Sequence, residues 1–149
     1  MNNLITFREL KGLILIPLLI FFFYAVTEFF FLITALDFMY TNNFSEAEMS
    51  DALVNSTFLL TVSLSIAAFY NALTGYFVAN HLKENLVKIS IITIVSVELI
   101  DNIVNYLLPD DETIYPLWQD ILSYGVEWGA ILLGAWVVSR RHNKPNKQD

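Results

Sequence analysis

A chain of 149 residues with a formal charge of −7, 56% hydrophobic residues and a mean hydropathy of +0.54 is too apolar for an ordinary soluble domain. Four stretches approach or exceed the ~20 residues that cross a bilayer, and too little chain lies outside them for a separate soluble domain. Cysteine is absent, which excludes a disulfide framework, thiol catalysis and a thiolate metal site, and there is no basic patch for nucleic acid beyond a short tail.

The first span is predicted over about 12–36, with Pro17 in its opening turns, where a missing N–H is best tolerated. Aromatic runs at 21–23 and 29–31 bracket Tyr24 and Glu28. These two are four apart and share a helix face, so the phenol can donate a hydrogen bond to the carboxylate. Arg8 and Lys11 ahead of Leu13–Phe23 give the segment a signal-peptide look. Thr27 is a poor last residue for a cleavage site, however, and the apolar run continues through Leu36, so the segment reads as a span.

Between the first and second spans, Ser45 and Glu48 have the spacing of a capping box. A helix is expected to start there and run into the second span, 57–80. Glycosylation triplets at Asn43 and Asn55 lie close to the membrane and are read as chance. The second span carries no charge. Ser65, Ala68, Ala72, Gly75 and Ala79 lie near one face suited to close helix packing. Thr57, Thr61, Ser63, Ser65 and Thr74 add hydroxyls, and Asn71 brings an amide that needs partners in hydrocarbon.

A short turn near 80–87 makes an antiparallel hairpin with the third span, 88–108, which Pro109 ends. Glu98, Asp101 and Asn105 follow i, i+3, i+7 there, with Asn102 beside them. The fourth span, 116–138, opens at Pro116 and carries Asp120, Tyr124 and Glu127 at i, i+4, i+7. Gly125 and Gly129 form a small-xxx-small pair expected to be a packing seam. Tyr115 and Trp118 suit an outer interfacial belt and Trp136 an inner one. The tail, 143–149, is expected to be disordered.

The eight basic residues lie before the first span (Arg8, Lys11), around the 2–3 turn (Lys83, Lys88) and after the fourth span (Arg140, Arg141, Lys144, Lys147). By the positive-inside rule both termini are cytoplasmic. The expected architecture is an all-α, multi-pass protein of the inner (plasma) membrane, with four transmembrane helices in one antiparallel bundle. The outer loops are acidic (Asp37, Glu46, Glu48 and Asp51; Asp110, Asp111 and Glu112) and are read as solvated.

Four carboxylates, Glu28, Glu98, Asp101 and Glu127, fall inside the spans with no Lys or Arg at their depth. A rise of ~1.5 Å per residue puts Glu98 and Glu127 near the midplane and Glu28 and Asp101 about 5 Å outward. The same count puts Asn71 about 4 Å inward and Asp120 about 10 Å outward. Buried acids without basic partners are protonated, share protons, or bind a cation. The expected ligands are a proton, a hard cation with oxygen ligands assisted by Asn71 and Asn102, or an organic cation facing Tyr24, Tyr70, Tyr124 and Trp128.

Which metal, if any, stays open, and no cofactor is expected. His81 and His142 sit at helix ends, which argues against intramembrane haem, and the Glu-x-x-His pairs of a di-iron bundle are missing. No catalytic triad, aspartyl-protease motif or phosphate-cradling loop is recognisable. Asp101, Asn102, Asn105, Asp120 and Tyr124 carry polarity outward, while Ile94, Gly134 and small residues of the second span line the inner side. An outward-accessible cavity is expected.

The functional expectation is binding and translocation of a cation or proton by Glu28, Glu98, Asp101 and Glu127, supported by Tyr24, Asn71, Asn102, Asn105, Asp120 and Tyr124. Four helices rarely enclose a pathway alone, so a homo-oligomer or a membrane-protein partner is expected within the lipid bilayer. Two alternatives stand: a non-transporting module, such as an accessory subunit or an immunity protein, and a membrane-embedded acid–base enzyme acting on a lipid. Protonated acids could also serve only as hydrogen-bonded packing between helices.

Overall fold

The computed structural model describes residues 7–82, 85–107 and 117–142. The expected helix boundaries at Pro109 and Pro116, the acidic stretch at Asp110, Asp111 and Glu112, the 143–149 tail and the Asn105 side chain lie outside what is described. The described residues form α1 (Phe7–Thr41), α2 (Glu46–Asn55), α3 (Thr57–Leu82), α4 (Leu86–Leu107) and α5 (Leu117–His142), with no strand among them. Helices α1, α3 and α5 are long and apolar enough to cross a membrane. Helix α4 has 22 residues. A helix of that length is about 33 Å long, sufficient for the ~30 Å of hydrocarbon. It carries Lys88 near its start and the two acids Glu98 and Asp101 within its second half.

Helix α1 is under way at Phe7 rather than starting after Gly12, so Pro17 lies well inside it. Proline there forgoes one main-chain hydrogen bond, and its ring is fully buried against the bundle. The helix also runs past 36 to Thr41 and stops in a Schellman arrangement. Asn43 takes φ 59°. Its N–H donates to the Tyr40 carbonyl at 3.1 Å, and the Phe44 N–H donates to the Met39 carbonyl at 3.1 Å.

The capping box at Ser45 forms as read, with the Ser45 N–H donating to Glu48 Oε2 at 2.8 Å and the Glu48 N–H donating to Ser45 Oγ at 3.3 Å. The continuous helix expected from Ser45 into the second span does not form. Ser56 is extended (φ −72°, ψ 112°) and separates α2 from α3. Its N–H closes α2 on the Ala52 carbonyl at 3.0 Å. Its hydroxyl accepts from the Leu59 N–H at 3.3 Å and starts α3.

Helix α3 is the hub. It runs antiparallel to α1, since Gly12 lies by His81, Tyr24 by Tyr70 and Glu28 by Ser63. It runs parallel to α5. Gln119 at the start of α5 donates to the Val54 carbonyl at 3.2 Å, and Arg141 near its end donates to the Tyr76 hydroxyl at 2.9 Å. The α3–α5 pairing is the tightest in the bundle. A Cβ on Gly75 would strike the Ile131 carbonyl, and one on Gly134 would strike the Ala72 carbonyl. Small residues therefore let two backbones touch, as membrane helices often do.

The expected Gly125–Gly129 seam is a different matter. Nothing lies within 4 Å of a Cβ at either position, so that face of α5 packs against no described residue. Gly75 and Gly134 take the role instead, with Ala79 beside them, whereas Ser65 points outward.

The core sits at the end of the bundle that carries the α3–α4 turn. Leu13 of α1, Val78 and Ala79 of α3, Ile89 of α4, and Ala135 and Val138 of α5 form one buried cluster. Outward faces are apolar on all four long helices, with Phe22, Phe30, Phe58, Leu99 and Leu133 exposed. A continuous apolar exterior of this kind suits lipid rather than water.

Candidate functional site

Above the core cluster lies a cavity of ≈ 200 Å³ walled by α1, α3, α4 and α5. Pro17, Ile20 and Phe21 continue upward from the core and, with Val97 and Ile100, supply its apolar part. Its polar lining is Tyr24 from α1, Tyr70, Asn71 and Thr74 from α3, Glu98 and Asp101 from α4, and Asp120, Ser123, Tyr124 and Glu127 from α5. Among the described residues, no Lys, Arg or His lines it. Asp120 and Tyr124 are exposed and mark the α2 end of the cavity, while the core cluster closes the other end.

Three of the four predicted acids meet here, together with Tyr24, Asn71, Asp120 and Tyr124. Glu98 is oriented by Trp128, whose indole N–H donates to Oε1 at 2.7 Å. That ring was expected to offer its face to a cation; its edge holds a carboxylate instead. Glu127 and Asn71 line the cavity and make no hydrogen bond to any described residue. Polar ends left unpaired between membrane helices are sustained only by what fills the space, water or ligand.

Four expectations are corrected. Glu28 does not line the cavity. It lies toward the α2 end between α1 and α3, where the Ser63 hydroxyl donates to its Oε1 and its Oε2 is buried without a partner. The Tyr24-to-Glu28 hydrogen bond is not made; the Tyr24 ring packs edge-on against Tyr70, with centroids 6.2 Å apart. Asn102 is exposed and donates to its own helix, at the Glu98 carbonyl, 2.7 Å away. Ile94 and Gly134 do not line the inner side, because Gly134 is spent on the close approach to Ala72.

Several contributors escaped sequence reading. Ser123 carries no spacing signal at all. Ser63 and Thr74 are visible only as hydroxyls among several on α3, and helix rotation decides which of them faces an acid or the cavity; Tyr70 lines the cavity as expected, whereas Trp128 does not.

Two hydroxyl orientations are fixed by their partners. Thr27 Oγ1 donates to the Phe23 carbonyl at 2.9 Å, so in its 2.7 Å contact with the Tyr70 hydroxyl it accepts and Tyr70 donates. Thr74 Oγ1 donates to the Tyr70 carbonyl at 3.0 Å. Among the described residues, no three His, Asp or Glu side chains come together as a metal-ligand set.

No protein-family model matches the chain, and neither curated proteins nor solved structures give a match to it.

Proposed function

We propose that the chain is a four-span protein of the inner membrane that binds, and carries across it, a proton or a cation in the α1–α3–α4–α5 cavity. One observation carries the reading. Among the described residues, Glu98, Asp101 and Glu127 line a space with no basic residue in its wall, and Glu127 has no hydrogen-bond partner there. Acids serving only as glue between helices would bond across them, as Glu28 does to Ser63 and Glu98 to Trp128; Glu127 makes no such bond to a described residue.

Helix α4 serves as the fourth span, its acids turned to the cavity and its Leu99 and Ile103 to lipid. The positive-inside distribution orients the α3–α4 turn and both termini to the cytoplasm and the cavity mouth outward. The test is flux. In vesicles containing the purified protein and a trapped pH dye, an imposed cation gradient moves protons, and Glu127→Gln and Asp101→Asn suppress that movement while helix content is kept. Unchanged flux in both variants would refute the reading.

A second reading is favoured by the open Gly125–Gly129 face of α5. A helix of another protein, or of a second copy, fits a small-xxx-small strip of this kind, and the chain would then act as an interaction module or accessory subunit. Gly129→Leu would abolish association under this reading and leave flux intact under the first.

A further inference from the structure

The cavity wall is not neutral in its hydrogen-bonding sense. Tyr70 has sent its only proton out to Thr27, away from the cavity it lines. Thr74, 3% exposed, has committed its proton to the Tyr70 carbonyl. What each has left for the cavity is lone pairs, and carboxylates add more acceptors. Asn71 offers both kinds of group, and the hydroxyls of Tyr24 and Tyr124 can turn either way. On α3, then, the deep wall is built to accept.

Volume narrows the occupant further. At ≈ 200 Å³ the space is smaller than the ~300–1,000 Å³ of sites for drug-sized ligands. It would hold about seven waters at ~30 Å³ each.

We propose that the cavity recognises a small protonated amine, a primary or secondary ammonium ion whose N–H groups donate to Tyr70 and Thr74 while Glu127 balances its charge. This rests on the cation-binding reading above and names its substrate class. A quaternary ammonium has no N–H to give, and would gain nothing from the acceptor sites of Tyr70 and Thr74. A divalent metal would find no three-ligand set among the described residues.

The experiment compares n-butylammonium with tetramethylammonium, which match in charge and heavy-atom count, by calorimetric titration of the purified protein in detergent at neutral pH. n-Butylammonium is expected to bind at least about tenfold tighter, the scale of one hydrogen bond to a charged group. Tyr70→Phe and Thr74→Val each remove most of that preference without changing tetramethylammonium binding, and Thr74→Ser, which keeps the oxygen, retains it. Equal or tighter binding of tetramethylammonium overturns the amine assignment and leaves the cation reading standing. So does proton flux that persists with no amine binding. A preference indifferent to both α3 variants overturns the assignment too, and absence of both binding and flux overturns the two together.

Discussion

Replacing Gly134 by alanine puts a methyl group where α5 and α3 leave no room. Its Cβ would strike the Ala72 carbonyl oxygen and lie 2.8 Å from the Tyr76 nitrogen and 2.9 Å from the Ala72 carbonyl carbon. Non-bonded carbons settle near 3.5–4.0 Å, so relief requires the two helices to part by on the order of 1 Å. The obstacle is backbone, which cannot rotate aside as a side chain can. Overpacking of this kind costs about 1–3 kcal/mol, against a gain of about 1 kcal/mol from alanine's better helix propensity. The net expectation is destabilisation by about 0–2 kcal/mol, and by about 1–3 kcal/mol relative to an alanine that meets no obstacle. Gly125→Ala is the control, because no atom lies within 4 Å of its Cβ. It should be neutral or stabilising by up to about 1 kcal/mol. Reversible unfolding in mixed micelles of rising SDS content, followed by far-UV circular dichroism, measures both. A Gly134→Ala protein as stable as the Gly125→Ala protein would refute the backbone-on-backbone seam.

Ser63→Ala takes away the donor to a Glu28 whose other oxygen is already buried alone. The same unfolding assay should read a loss of about 1–3 kcal/mol, most of it recovered when Glu28→Leu removes the acid as well; a silent single variant would contradict the contact. Trp128→Phe deletes the indole donor to Glu98, and a double-mutant cycle with Glu98→Leu should give a coupling of about 1–3 kcal/mol, whereas additive effects would count against the bond. At Glu48 the main-chain and then the side-chain hydrogen bonds from Ser45 hold the carboxyl below its ordinary range. A depressed folded-state value stabilises α2 above the unfolded value and is lost as pH falls through the folded one. Protection of the amides across 46–55, taken relative to their intrinsic exchange rates at each pH, should therefore fall in acid, and Glu48→Gln should abolish that fall.

Axial position was far easier to read than rotation. The apolar runs bounded by basic residues place all four long helices, and the rise per residue puts Glu98, Asp101, Glu127 and Asn71 at one level, where the cavity gathers them. Helix α1 is apolar nearly all the way round, so no period tells which way Glu28 faces, and it turns to Ser63 instead of the cavity. Two small-xxx-small strips look alike in sequence; only packing assigns Gly75 and Gly134 to a seam and leaves Gly125 and Gly129 open. Local signals fared according to range. The Ser45–Glu48 capping box is settled within four residues, whereas the Ser56 break and the Gln119-to-Val54 bond depend on how α2 docks on the start of α5.

Under the proposed function, the seam also bears on how a cavity closed at one end exchanges access to the other. Helices α3 and α5 meet backbone to backbone, while α1 and α4 reach them through side chains such as Leu13 and Ile89. Parting side chains loses dispersion contacts gradually, whereas sliding one backbone past another must first lift Gly75 off Ile131 and Gly134 off Ala72. The hypothesis that follows is a rocking of α1 and α4 against a fixed α3–α5 pair, opening the Leu13–Val78–Ala79–Ile89 cluster. The chain has no native cysteine, so introduced pairs report cleanly. A disulfide between Leu13→Cys and Ala79→Cys, both in the core cluster, should stop proton-coupled flux, and reduction should restore it. A seam bridge, between Val78→Cys of α3 and Ala135→Cys of α5, both buried in the core cluster, should leave flux intact. If the seam bridge stops flux and the core bridge does not, the moving part is α5, and the rocking hypothesis fails.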